Sequence, residues 1–196
     1  MPLATNAAGI ALIKAAEGIR LASYQDPSGS WTIGYGHTVN VGPGQTITQA
    51  EADQLLAQDL MQFEAGVSSV TANPTSNEFS AMVSLAFNIG MGGFKGSTVL
   101  RQHNAGNYAA AADAFLLWNK AHVDGQLVEL AGLTTRRAAE RALYLTPDAR
   151  LPPVPPPESI YTLTLGVDSS GNPFVSSLVK MTVAVLLMLG IGAFAG

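Results

Sequence analysis

Two carboxylates near the start of the chain are of the residue types that sugar-bond hydrolysis requires. Glu17 ends an apolar, helix-like stretch, and Asp26 follows nine residues later in the polar sequence QDPSGS. Hydrolysis of a glycosidic bond needs a protonated carboxyl for the departing oxygen and a carboxylate on the opposite face of the sugar. Apolar neighbours favour a protonated Glu17, and a polar turn favours an ionised Asp26. The same residues also suit a helix end and an ordinary turn, so spacing alone leaves both interpretations open.

The elements that would position these carboxylates are predicted to be a helix followed by a small antiparallel sheet. Residues 6–18 fit a helix that Thr5 or Asn6 caps and that Gly18 ends. Residues 22–40 are rich in Gly, Ser, Tyr, Trp and Thr, which is typical of a hairpin. We therefore expect Glu17 at a helix end and Asp26 on the hairpin.

The rest of the first 150 residues is predicted to be helical. Thr48 and Glu51 have the spacing of a capping box, and apolar residues at helical spacing follow them. An apolar helix is predicted over 74–90, and further helices over 97–104, 107–120 and 134–145. Together with the small sheet, these helices predict an α+β fold.

Composition excludes several classes of function. The 196 residues include no cysteine, which rules out disulfides, cysteine-ligated zinc and cysteine nucleophiles, and leaves the cellular compartment open. The formal net charge is −4, and no basic run is present, so we expect no nucleic-acid partner. His103 and His122 lack ligand-spaced partners, and His37 is more simply a hydrogen-bonded structural histidine, so no metal or other cofactor is expected. No export signal is recognisable at the N-terminus.

The composition changes at residue 151. Five prolines fall within LPPVPPP, so residues 151–159 are predicted to be an extended linker after a domain of residues 1–150. Residues 160–173 form a short extended segment, in which 160–168 alternates like a strand before the turn SSGNP. Since one strand cannot stand alone, we expect it to pair with something outside itself, such as a partner's sheet edge.

The last 23 residues, 174–196, contain a single charge, Lys180. The uncharged part alone would span ~24 Å as a helix, which is less than a ~30 Å hydrocarbon core. The full segment is long enough when the lysine reaches toward the headgroups. We therefore predict a C-terminal transmembrane anchor in a lipid membrane; the alternative is a buried hairpin or an oligomerisation helix.

The sequence EGIRLASYQDPSGSWTIGYGHT (17–38) resembles the active-site segment of phage-type lysozymes, the endolysins of glycoside hydrolase family 24. Later blocks resemble the family in the same order, at 47–60, 79–108 and 111–145. The resemblance implies two lobes with a glycan cleft between them. It also implies a muramidase that cleaves the β-1,4 bond between N-acetylmuramic acid and N-acetylglucosamine in peptidoglycan.

The resemblance implies specific roles for residues of this chain. Glu17 would be the general acid, while Asp26 and Thr32 would position a water molecule, or Asp26 would attack as a nucleophile. The separation of the two carboxyl groups decides between these inverting and retaining routes, and the sequence does not give it.

Further residues are predicted to line the cleft. Arg137 resembles a family arginine that pairs with the catalytic glutamate; the alternative is a solvated helix charge that pairs with Glu140. Asn88 and Gly90 match a family segment at the cleft wall. Gly34 and Tyr35 would let the glycan approach the hairpin backbone, although glycines there also suit a turn.

The C-terminal tail departs from the family pattern. One explanation is a lysozyme anchored in the membrane of a phage particle and used when the phage enters the cell; the other is delivery through the host envelope at lysis. In either case the catalytic domain would act on the periplasmic cell wall. The alternative function is a virion structural protein, with other virion proteins as partners, whose lysozyme domain binds glycan without a need for catalysis.

Overall fold

A computed structural model describes residues 3–123, 125–147, 165–167 and 173–175. The chain divides into two compact units, Met1–Pro153 and Val154–Gly196. Six helices, a 3₁₀ turn and two hairpins make up the described part of the first unit. In chain order they are α1 (Ala7–Glu17), β1 (Arg20–Gln25), β2 (Trp31–Gly34), α2 (Gln49–Ser68), α3 (Ser76–Lys95), α4 (Thr98–Asn104), α5 (Tyr108–Phe115), the 3₁₀ turn (Leu116–Trp118), β3 (Lys120–Val123), β4 (Gln126–Glu129) and α6 (Ala131–Leu145).

Side-chain caps fix where the main helices begin. The Asn6 side chain accepts from the backbone N–H of Gly9 at the start of α1. Thr48 and Glu51 form the predicted capping box of α2. Thr75 and Glu78 form a second capping box at α3. Each box satisfies backbone N–H groups that a helix leaves without partners.

The helix α3 lies at the centre of the first unit and packs against α1, α2 and α6. Every residue from Phe79 to Ala86 is buried, and all of them are apolar except Ser80 and Ser84. Phe94 and Phe115 are also completely buried in the same core. Since α1 and α6 both pack on α3, the end of α1 lies beside α6, and this arrangement places Glu17.

The first hairpin pairs β1 with β2 in antiparallel register, with Tyr24 opposite Thr32 and Arg20 opposite Gly34. The register shifts between these two pairs, so the sheet contains an irregularity there. Asp26 lies in the turn that joins the strands, as the sequence predicted.

Two helix predictions differ from the structure. The helix predicted over 107–120 ends at Phe115, and the chain continues through the 3₁₀ turn into the hairpin β3–β4, which was not predicted. The helix predicted to end at Gly90 continues to Lys95, with a kink at Gly90 where φ is 76° and ψ is 156°. Glycine adopts these angles without a Cβ penalty.

In the second unit, β5 (Leu165–Val167) pairs antiparallel with β6 (Pro173–Val175). The strand within 160–168 therefore pairs with a strand outside itself, as expected, and that strand is β6 of the same chain. The predicted anchor at 174–196 needs a correction at its start, because Phe174 and Val175 belong to β6. The linker at 151–159 and the rest of the anchor lie outside the described residues. In the part of the chain that is described, no helix has the length and apolar character to cross a bilayer.

Candidate active site

Glu17 is the last residue of α1, and the helix stops there because Gly18 takes a positive φ of 69°. The Gly18 N–H still donates to the Lys14 carbonyl, which closes the final turn. The Glu17 side chain is 25% exposed. A carboxyl in this place is held by the helix and is still accessible to a ligand.

Two cavities meet at Glu17. The larger, of about 850 Å³, is lined mostly by apolar residues of α1 and α6, and the smaller, of about 360 Å³, by the loop after β2 and by α2 and α3. Glu17 and Asn88 line both cavities. The two cavities therefore form a cleft that passes the carboxylate, as an extended polymeric substrate requires.

Asp26 is held by the hairpin turn. Its carboxylate accepts hydrogen bonds from the Ser28 hydroxyl at 2.6 Å and from the Ser28 and Ser30 N–H groups at 2.9 Å each. These bonds, the Ser28 hydroxyl foremost, hold the pKa of Asp26 below its ordinary value. The sequence-based expectation of an ionised Asp26 agrees with this environment.

Thr32 is buried in β2, and its hydroxyl donates to the Ser30 carbonyl at 3.2 Å. Asp26 and Thr32 thus share Ser30 as a neighbour. Among the described residues, no hydrogen bond or ion pair joins either of them to Glu17. The catalytic roles assigned to these three residues stay predictions.

The arginine that contacts Glu17 is Arg136, at 2.7 Å between Nη1 and Oε1. The prediction that Arg137 makes this contact is wrong. Arg137 donates instead to the Asn88 side chain at 3.0 Å and pairs with Glu140. It is completely buried, so the alternative is wrong in describing a solvated charge, whereas the pairing with Glu140 that it named is confirmed.

The other predicted cleft residues fall into two groups. Asn88 and Tyr35 line the smaller cavity, where the Tyr35 hydroxyl accepts from Gln49. Gly34 has Ala52 and Ile47 beside it, and Gly90 forms the kink of α3; neither lines the two cavities that contain Glu17. A contact between these two glycines and a glycan stays a prediction.

Sequence reasoning missed the roles of Arg136 and Ser84, and it named Glu140 only as a partner of a solvated Arg137. Arg136 donates to the Ser84 carbonyl, and the Ser84 hydroxyl donates to Glu140. The pairing of both arginines with Glu140 had a signal in the spacing RRAAE, in which they lie three and four residues before an acid on one helix, whereas Ser84 on α3 had none. Among the described residues, no group of three or more His, Cys, Asp or Glu side chains could hold a metal ion.

Comparison with known proteins decides the family, because the phage lysozyme model matches residues 14–140. The chain belongs to the phage lysozyme family. It is 45% identical over 137 residues to an endolysin of Acyrthosiphon pisum secondary endosymbiont phage 1, covering 69% of this chain and 94% of that protein. It is 46% identical over 152 residues to the endolysin of Salmonella phage P22, covering 74% and 99%.

Two further similarities bear on this phage lysozyme. A SAR-endolysin of Bacteriophage PS119 is 35% identical over 131 residues, covering 66% of this chain and 76% of that protein. The solved muramidase domain of SpmX from Asticaccaulis excentricus is 43% identical with a TM-score of 0.71, covering 74% and 99%. The first unit therefore has the lysozyme-like fold, mostly helical with small antiparallel sheets. The protein is a glycoside hydrolase of the lysozyme class that acts on peptidoglycan.

Proposed function

We propose that this phage lysozyme is a muramidase that hydrolyses the β-1,4 bond from N-acetylmuramic acid to N-acetylglucosamine, with Glu17 as general acid. The observation that carries the proposal is the position of Glu17 where the two cavities meet. A glycan strand that occupies both would have one of its glycosidic oxygens beside this carboxyl.

The hydrolysis transfers one proton to the leaving oxygen and adds one water molecule. Glu17 gives its proton to the glycosidic oxygen, which leaves as the 4-hydroxyl of N-acetylglucosamine. Water adds to C1 of N-acetylmuramic acid and becomes its new reducing-end hydroxyl. A proton from that water restores Glu17 or passes to solvent through Asp26.

We assign Asp26 and Thr32 to the opposite face of the sugar. The three hydrogen bonds that Asp26 accepts keep it ionised, which suits either a base that orients water or a nucleophile. The Thr32 hydroxyl donates to the Ser30 carbonyl and so retains acceptor capacity for a water proton. Asn88 lines the cleft beside Glu17 and is assigned to the N-acetyl group of a bound sugar.

The test of Glu17 is its replacement by glutamine, which keeps the shape and removes the proton. Glu17→Gln is expected to lower the rate of peptidoglycan cleavage by at least about a hundredfold with an unchanged circular-dichroism spectrum, since general acid catalysis contributes 10²–10⁴-fold. Glu64→Gln is the matched control, because Glu64 accepts from the Thr5 N–H away from the cleft. Cleavage by Glu17→Gln at the rate of the control would disprove the assignment.

We also propose that the residues after β6, 176–196, anchor the enzyme in a membrane, either in a phage particle for use at infection or in the host envelope for release. Support comes from their composition, with one charge, Lys180, in about 21 residues, enough for a span of ~30 Å as a helix. The similarity to SAR-endolysins supports an association with a membrane.

A further inference from the structure

A charged cluster is buried behind the cleft. Arg136, Arg137 and Glu140, all on α6, are 7%, 0% and 0% exposed. Ser84 on α3 is also completely buried and faces them. Burying charges costs free energy unless each charge has partners, so this cluster needs an explanation beyond the packing of two helices.

Glu140 is the residue that joins the cluster together. Its Oε1 atom accepts from the Ser84 hydroxyl at 2.7 Å, from Arg136 Nε at 3.2 Å and from Arg137 Nη2 at 3.1 Å. Its Oε2 atom lies 3.0 Å from Arg137 Nε. One carboxylate thus fixes both guanidinium groups, and α3 holds that carboxylate in turn.

Each guanidinium group extends from Glu140 to a different cleft residue. Arg136 Nη1 lies 2.7 Å from the Glu17 carboxylate, while its Nη2 donates to the Ser84 carbonyl at 3.2 Å. Arg137 Nη2 donates to Asn88 Oδ1 at 3.0 Å. Glu17 and Asn88, which line both cavities, are therefore the two residues that the arginines of the cluster contact.

We propose that Glu140 is a positioning residue for peptidoglycan cleavage, which holds Arg136 against Glu17 and Arg137 against Asn88. The inference rests on the proposed role of Glu17 as general acid. Through the two arginines, one buried carboxylate sets the orientation of the acid and of the side chain assigned to the substrate's N-acetyl group.

Glu140 also balances charge. With both carboxyls ionised, two arginines face two carboxylates, and the cluster is neutral. Without the negative charge of Glu140, two positive groups would face Glu17 alone and would favour its ionised form. A general acid must instead be protonated to act, so the negative charge of Glu140 serves catalysis. Burial raises the pKa of Glu140, and Arg137, the Ser84 hydroxyl and Arg136 act against that rise.

Other charged groups on the helices packed against α6 are engaged elsewhere. Lys14 of α1 pairs with Asp53 of α2 at 2.8 Å. Asp113 of α5 pairs with Arg141 of α6 at 2.8 Å, in an exposed position. On α3, Glu78 accepts from the Thr75 N–H at the start of the helix, and Lys95 is the last residue of the helix. The titratable groups in contact with Glu140 are the two arginines, and Glu17 lies on the far side of Arg136.

The experiment is a pH–rate profile on soluble peptidoglycan strands for the full-length wild type and Glu140→Gln. The variant is expected to lose at least about tenfold in kcat near neutral pH. The alkaline limb of its profile should move down by about one pH unit, the size of effect that a nearby charge commonly has. Asp113→Asn is the matched control, since it removes an acid paired with an arginine of the same helix, and its profile should stay as in the wild type.

Three variants separate the possible failures. If Glu17→Gln retains full activity, the proposed function fails. If Glu17→Gln is inactive while Glu140→Gln has the wild-type rate and pH profile, only the positioning role of Glu140 is overturned. Glu140→Asp restores the charge, and the alkaline limb should return toward the wild-type position. A limb that stays shifted in Glu140→Asp would contradict the role of charge.

A second pair of changes covers the case in which Glu140→Gln does not fold. Arg137→Met with Glu140→Leu removes one charge of each sign, a replacement that buried ion pairs often tolerate. This enzyme should keep the wild-type alkaline limb, because the charges of Arg136 and Glu17 remain balanced, and its kcat should fall, because Glu140 no longer holds Arg136. Its KM should rise severalfold, because Arg137 no longer donates a hydrogen bond to the Asn88 side chain. An unchanged KM would overturn the proposal. If the double variant does not fold, Arg137→Met alone is assayed beside Asn88→Ala. Wild-type kinetics in Arg137→Met, with Asn88→Ala folded, would also overturn the proposal.

Discussion

Glu17 and Asp26 are both acidic, but their surroundings differ at the level of single atoms. Asp26 accepts three hydrogen bonds inside a hairpin turn. Glu17 has one arginine partner and lines a cleft in which a large part of the surface is apolar. Two carboxyls in unlike environments suit a pair in which one donates a proton and the other stays charged.

The lowered pKa of Asp26 predicts how the enzyme responds to acid. Its ionised form persists above that lowered pKa, and activity that requires it is lost as pH falls through the same value. Ser28→Ala removes the largest contribution to the lowering, so the pKa of Asp26 should rise. The acid limb of the pH–rate profile should then move to higher pH.

The control for this prediction is Ser69→Ala. The Ser69 hydroxyl donates only to the Gly66 carbonyl on α2, so its loss should leave both limbs of the profile in place. An acid limb that stays at the wild-type pH in Ser28→Ala would mean that the ionisation of Asp26 does not limit the reaction.

At the scale of elements, the sequence predicted the helix caps, but it did not predict which side of α6 faces α1. The caps at Asn6 and Thr48 were predicted because each depends on residues within one helical turn. Arg136 and Arg137 are neighbours in sequence, yet they point about 100° apart on a helix. Which of them faces Glu17 depends on how α6 packs against α1, and no local pattern encodes that.

The hairpin β3–β4 was missed for a similar reason. The stretch 107–120 is apolar and alanine-rich, and its composition favours a helix throughout. In the structure the helix ends at Phe115, which is completely buried in the core. The following residues form the 3₁₀ turn and then β3, whose pairing partner β4 lies outside the stretch 107–120, so its composition does not encode the pairing.

The kink in α3 yields a prediction at this scale. Gly90 has φ 76° and ψ 156°, a region that is open almost only to glycine, so Gly90→Ala should cost about 1–3 kcal/mol of unfolding free energy. No atom lies within 4 Å of an added Cβ, so the cost is conformational. Since Asn88 lies two residues earlier, the KM for peptidoglycan should also rise. Urea denaturation and substrate titration measure the two effects.

Gly92→Ala is the matched control for that kink. Gly92 has equally open space around it and ordinary helical angles, so alanine there should be neutral or slightly stabilising. Equal stabilities for Gly90→Ala and Gly92→Ala would show that the kink imposes no conformational demand.

At the scale of the whole molecule, the family match ends at residue 140, well before the end of the chain. The P22 endolysin is covered over 99% of its length by 74% of this chain. The C-terminal residues therefore add something that hydrolysis in that relative does not use. The proposed membrane attachment through 176–196 would be such an addition, since these residues are almost entirely uncharged.

Attachment is tested by washing purified phage particles with alkaline carbonate and measuring this chain in the membrane fraction by mass spectrometry. If 176–196 forms an anchor in the particle, the chain should remain with the membrane, and a variant that ends at residue 153 should be lost. Absence from particles, with recovery only from membranes of lysing cells, would assign the tail to release. Complete extraction from both membranes would contradict an anchor.

The products of digestion show directly which bond the enzyme cuts. Purified peptidoglycan is digested with the wild-type enzyme, reduced with borohydride and analysed by mass spectrometry. We expect reduced N-acetylmuramic acid at every new end, and no such ends with Glu17→Gln. Reduced N-acetylglucosamine, or a non-reducible anhydro end, would contradict the assignment of a muramidase that adds water at C1 of N-acetylmuramic acid.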